Sequence, residues 1–119
     1  MTRVRHAALA LLLAATASTA FAQPRAPHRC AADARSHAAR LLALHRGPDD
    51  RIAIDSAVRV LAPVRNPVGG TPPQLLDVLE VQGYIYRARY RMRFLYAPLR
   101  ETPNECVLMG QEILELARV

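Results

Sequence analysis

Lysine is absent from this chain: all 16 of its basic residues are arginine, set against 10 acids. Arginine is therefore the only route to positive charge, and a GC-rich coding bias that brings Ala, Arg, Leu and Pro together explains its abundance without a special task. The absence also removes a phosphate-loop reading from Gly69-Gly70, which no Lys-Ser/Thr follows. Cysteine is scarce, with only Cys30 and Cys106, and the C-x-x-C spacing of a redox pair is missing. His28 with Cys30 supplies two ligands at most, too few for a closed metal site, so no metal or other cofactor is expected.

Nucleophiles and acid/base groups are equally sparse. Beyond residue 22 the only serines are Ser36 and Ser56, and the only histidines are His28, His37 and His45. His37 and His45 fall roughly 80° apart on a helix, a poor arrangement for sharing a metal. Asp49 and Asp50 are adjacent in a turn, as punctuation and not as an acid/base pair. No catalytic constellation emerges, and the chain is expected not to be an enzyme. Were it a small periplasmic enzyme instead, Glu112 would be the first carboxylate to inspect, because the strand register preferred below buries it near Tyr90, and burial raises a carboxyl pKa.

No apolar run is long enough to cross a bilayer. The longest, Ala7 to Ala15, follows Arg3 and Arg5 and precedes Ala20-Phe21-Ala22, the pattern of a secretory signal cut after Ala22. No twin-arginine pair and no lipoprotein cysteine accompany it. The expected destination is the bacterial periplasm or the exterior, with no transmembrane segment and with peripheral membrane contact still open. Removing the first 22 of 119 residues leaves 97, one domain in size, carrying 14 arginines against 10 acids. Residues 23–29, with two prolines, read as a flexible lead-in, and residues 30–119 as a single α+β domain. In an oxidising compartment the two cysteines pair by default and close a loop across nearly the whole domain.

What is present is patterned. Cys30 to Arg46 places Ala34, Ala38, Leu41, Leu42 and His45 near helical spacing, with Asp33 in the first turn, Arg46 in the last and Gly47-Pro48 as a stop. Ile52, Ile54, Val58, Val60 and Val64 alternate against polar positions as a half-buried strand of about a dozen residues. Residues 66–73 form a Pro/Gly loop. Gln74 to Gln82 is ambiguous between helix and strand. Tyr84 to Tyr96 alternates strictly, with Tyr84, Tyr86, Ala88, Tyr90, Met92, Phe94 and Tyr96 on one parity and Arg87, Arg89, Arg91 and Arg93 on the other. It reads as one long strand with an aromatic face and an arginine face. An unbroken element from Val78 to Tyr96 would reach about 60 Å, beyond the ~35 Å breadth of such a domain, and Gly83 is the natural break. Ala97 to Glu105 is a loop, and Cys106 to Leu116 returns as the last strand. Pairing Tyr96 with Cys106 and Phe94 with Leu108 aligns apolar with apolar and sets Arg87 opposite Glu115.

The expected fold is α+β: an N-terminal helix, disulfide-tied to the last strand, packed on a three- to four-stranded antiparallel sheet in α-β-β-β order. Strict alternation sends rings inward and guanidiniums outward, whereas single-strand nucleic-acid binders present both on one surface, so nucleic acid is not an expected partner. Arg87, Arg89, Arg91 and Arg93 are either a solvated face that keeps the sheet from pairing, or an anion-recognising stripe. In the second case the chain is a small exported non-enzymatic binding protein, its partner an unknown protein or an anionic envelope ligand. A purely structural or inhibitor-like module is the alternative, since helix-on-sheet folds serve many tasks.

Overall fold

Local signals and packing agree at the N-terminal helix of this computed structural model, which describes residues 26–99, 101–102 and 104–116. The signal segment 1–22 lies outside the described residues. Helix α1 spans Ala31–Arg46, with Asp33 in its first turn, His45 and Arg46 in its last, and Gly47 closing it at φ 85. Its buried stripe is Ala34, Ala38 and Leu42. Two alanines in that stripe let the helix backbone sit close to the sheet, nearest the first two strands. Strands β1 (Ile52–Arg65), β2 (Leu75–Ile85), β3 (Ala88–Tyr96) and β4 (Leu108–Leu116) form one antiparallel sheet in the order β1-β2-β3-β4. One helix on a four-stranded antiparallel sheet, with Cys30 bonded to Cys106, is the expected class with the upper strand number.

The ambiguous segment 74–82 belongs to β2 from Leu75 onward, and the break expected at Gly83 lies elsewhere. Gly83 is mid-strand because a Cβ there would stand 2.8 Å from Met92 Cε, 3.0 Å from Leu42 Cδ2 and 3.2 Å from Ile54 Cδ1. It marks close approach of the helix and not a bend. The long strand expected over Tyr84 to Tyr96 is instead two strands joined by the two-residue turn Tyr86-Arg87, where Ile85 stands opposite Ala88. No Gly, Asn or Asp announces that turn. Tyr86 adopts φ 52 unaided, a conformation that bulky residues take at a cost. What locates it is the ladder: nine consecutive pairs from Asp77↔Tyr96 to Ile85↔Ala88 form only if the chain reverses there.

This reversal changes the faces. An odd residue of β2 now shares a face with an even residue of β3, so Leu79, Val81 and Ile85 join Tyr90, Met92, Phe94 and Tyr96 beneath α1. Tyr84, expected in the aromatic core, moves to the opposite side, and Tyr86 is 70% exposed. The β3–β4 register also differs from expectation by three residues. Arg93 faces Glu112 and Tyr90 faces Glu115, with an irregularity at Leu95/Tyr96. Cys106 consequently precedes β4 instead of pairing with Tyr96, yet still reaches Cys30. Glu115 stands 3.9 Å from Arg46, not opposite Arg87.

The end of the expected lead-in is fastened to the domain. His28 Nδ1 accepts from the Cys30 amide at 3.0 Å, which leaves Nε2 to donate to Asp77 at 3.2 Å. Arg29 donates to the Ala97 carbonyl at 3.3 Å and to that of Glu105.

Two buried tyrosines under α1 provide an internal comparison. Tyr96 donates to Asp33 Oδ2 at 2.8 Å, whereas the Tyr90 hydroxyl has no hydrogen-bond partner among the described residues. Burial, and then the Asp33 bond, push the Tyr96 pKa far above its ordinary value of 10.0. A raised folded-state pKa stabilises fully below the unfolded value and less as pH climbs past it, so the loss begins above about pH 10. Tyr96→Phe is expected to cost about 1.5–2 kcal/mol near neutral pH and to flatten that alkaline decline. Tyr90→Phe, which removes an unsatisfied buried hydroxyl, is expected to be neutral or to stabilise by up to about 1 kcal/mol. Urea unfolding from pH 7 to 11 checks both; equal losses for the two variants would contradict the assignment.

Candidate anion-binding face

The sheet face away from α1 is organised in cross-strand rows. Antiparallel pairing aligns Arg59 with Glu80, Glu80 with Arg93, and Arg93 with Glu112, one residue from each strand with charge alternating along the row. Cross-strand neighbours on one face lie about 5 Å apart, close enough for long side chains to meet. They do so: Arg59 Nη1 reaches Glu80 Oε1 at 3.2 Å, Arg93 Nε reaches Glu80 Oε2 at 3.0 Å, and Arg93 Nη1 approaches Glu112 Oε1 at 3.6 Å. Glu80 is only 3% exposed, while Arg93 is 34% and Arg59 68% exposed. Both arginine side chains keep part of their surface in solvent while the carboxylate they hold is buried.

On one side of this charged row the face is apolar, with Leu61, Val78 and Leu95 in register and Leu76 beyond; Val78 and Leu76 are buried. On the other side stand two further rows. Gln82, Arg91 and Leu114 form the nearer, and Tyr84, Arg89 and Leu116 the farther. Tyr84 donates to Gln82 Oε1 at 3.3 Å, and the Arg89 guanidinium lies 5.7 Å from the centre of the Tyr84 ring. Arg91 Nε is 3.8 Å from Glu80 Oε2, an oxygen already engaged more closely by Arg93.

The four arginines read from the sequence thus separate into different settings. Arg93 is bound between two carboxylates. Arg91 has a distant share of one, and Arg89 has no acidic partner among the described residues. Arg87 is off the strand face altogether, in the turn, 5.3 Å from the Tyr86 ring. Formal charges cancel within the row Arg59, Glu80, Arg93 and Glu112, so Arg89 and Arg91 carry the positive charge that remains. Their Cα atoms lie about 7 Å apart, two residues along one strand.

The sequence pattern does not mark Arg59, Glu80 or Gln82 as site residues, and it assigns Tyr84 to the aromatic core instead of this face. Glu80 and Gln82 sat in a segment whose period was unreadable, and Tyr84 joined this face only because the chain turns at Tyr86. Glu112, the carboxylate expected to be buried near Tyr90, is 59% exposed and faces Arg93; the three-residue shift of register carries it to this side.

Other chemistry-bearing groups gather under and around α1. Asp33 Oδ2 accepts from Tyr96 and lies 3.3 Å from His37 Nε2, and Arg40 Nη2 approaches His37 Nδ1 at 3.2 Å. His37 also rests 6.2 Å from Phe94, and His45 6.0 Å edge-on to Tyr90, so both rings pack along the core margin. In the α1–β1 turn, hydrogen bonds from the Arg51 side chain and backbone hold Asp49 down at about 2. Among the described residues no group of three or more His, Cys, Asp and Glu could hold a metal ion, and no helix is long and apolar enough to cross a membrane. A hollow lined by Pro98, Leu99, Glu101 and Thr102 offers one carboxylate and no histidine or cysteine. No protein family, curated protein or solved structure matches the chain.

Proposed function

We propose that this is an exported, non-enzymatic binding protein that captures an anionic partner, an acidic protein segment or an anionic envelope component, on the sheet face opposite α1. The observation that carries the reading is the charge distribution across that face. One row neutralises itself, and Arg89 and Arg91 stand beside it with guanidiniums available to a carboxylate or phosphate. Tyr84 and Gln82 flank them with hydrogen-bonding groups, and Leu114 and Leu116 supply an apolar wall. The disulfide supports a destination outside the reducing cytoplasm.

Arg89→Gln/Arg91→Gln is expected to weaken capture of a soluble polyanion such as polyglutamate at least about tenfold, at one charge-assisted contact per arginine. Its melting temperature should barely move. Arg87→Gln should bind polyglutamate as the parent does, because Arg87 lies off this face. Capture must fade between low and high salt, since exposed charges are screened. Salt-insensitive binding, or equal losses for Arg87→Gln and the double variant, would contradict the assignment.

A further inference from the structure

The two-residue turn between β2 and β3 holds an exposed ring in a backbone conformation that glycine would occupy at lower cost. Tyr86 is 70% exposed at φ 52. Bulky residues at positive φ are outliers, and such outliers concentrate where contact with something outside the fold requires them. The ring does little for the fold itself: it is absent from the core, and its neighbours are two guanidiniums, Arg87 at 5.3 Å and Arg51 at 5.9 Å. Arg51 is paired with Asp49, but Arg87 is not in an ion pair among the described residues. One step along the sheet, Tyr84 and Arg89 repeat the combination, ring beneath guanidinium at 5.7 Å.

Two tyrosines and two free cations at one end of a sheet match the chemistry of a particular surface. A tyrosine ring has an apolar body and a polar edge and sits well at the boundary between lipid headgroups and acyl chains. Guanidiniums beside it meet phosphates. A dissolved anion would engage the guanidiniums but would have no use for an exposed ring held at conformational cost. An anionic bilayer engages both. We propose that Tyr86 and Arg87, supported by Tyr84 and Arg89, form an interfacial anchor that docks this protein on an anionic phospholipid bilayer. This deepens the anionic-partner reading by naming the source of the anion, and it rests on that reading only for Arg89.

The chain contains no tryptophan, so Tyr86→Trp creates a single fluorescent reporter at the tip. The probes are vesicles of phosphatidylcholine with phosphatidylglycerol, vesicles of phosphatidylcholine alone, and soluble polyglutamate. The parent protein should sediment with the anionic vesicles and not with the neutral ones. The Tyr86→Trp emission should shift to the blue on binding the anionic vesicles. Tyr86→Gly should melt higher than the parent, being relieved of the strained turn, yet bind anionic vesicles about fivefold or more weakly. Arg87→Gln should lose about fivefold as well. Both variants should hold polyglutamate as the parent does. The anchor is overturned if the protein ignores anionic vesicles, if Tyr86→Gly binds them undiminished, or if the reporter stays unshifted in the bound state. Each of these leaves the face reading standing so long as Arg89→Gln/Arg91→Gln loses polyglutamate. If that double variant keeps polyglutamate while Tyr86→Gly loses vesicles, the face reading falls and the anchor stands.

Discussion

Glu80→Gln is expected to lower the unfolding free energy by about 3 kcal/mol while tightening the capture of a soluble polyanion. Glutamine keeps the volume and removes the charge, so no cavity contributes. The carboxylate is 3% exposed and receives Arg59, Arg93 and, at longer range, Arg91. Removing one partner of a buried charge cluster costs roughly 3–5 kcal/mol because the others are left uncompensated; the low end applies here, as the guanidiniums keep part of their hydration. Urea unfolding measures that loss. The same change takes the row Arg59, Glu80, Arg93 and Glu112 from formal neutrality to a net positive charge, directly beside Arg89 and Arg91. Polyglutamate should then bind several-fold more tightly at low salt, with the advantage shrinking as salt rises. Opposite signs for stability and binding are the informative result. A variant that loses both would show Glu80 to hold the binding surface in shape, and not to balance its charge.

Cys30→Ser/Cys106→Ser is expected to cost more, about 4.5 kcal/mol, which the chain-entropy relation gives for a bridge across 76 residues. In a domain this small the total is on the order of 5–10 kcal/mol, so the melting temperature should fall by roughly 20 °C. The loss should be uneven. The bridge joins the residue before α1 to the segment before edge strand β4, at the end of the sheet where Arg29 also donates to the Ala97 and Glu105 carbonyls. Hydrogen exchange should therefore accelerate first at the start of α1 and along β4. The β2–β3 ladder, buried on both faces at Val78 to Val81, should hold protection longest. A drop below about 1 kcal/mol would mean that these contacts hold the two segments together without the covalent link.

Period, composition and cysteine number were enough to read a helix over residues 30–46, one residue longer than α1, the first strand, a last strand ending at Leu116, the helix-on-sheet class and the pairing of Cys30 with Cys106. Each of these depends on a local period or on a count of two, and neither needs knowledge of a partner. The faces did not yield in the same way. A side chain's face on a strand follows from parity, and parity resets at every reversal of the chain. The alternation from Tyr84 to Tyr96 runs unbroken through a turn that carries no turn residue, so Tyr84 and Arg87 were placed by a count that the chain does not keep. The register of β4 was a separate matter, decided by its pairing with β3 and the irregularity at Leu95/Tyr96, and Glu112 moved with it.

Only pairing across strands could decide these points. The ladder from Asp77 to Ile85 fixed the reversal at Tyr86, which brought Glu80 beneath three arginines and left Arg89 and Arg91 as the least compensated cations on that face of the sheet. The residue types of a charged face are local information. Which of those charges cancel is a relation between strands distant in sequence, and it exists only once they lie side by side.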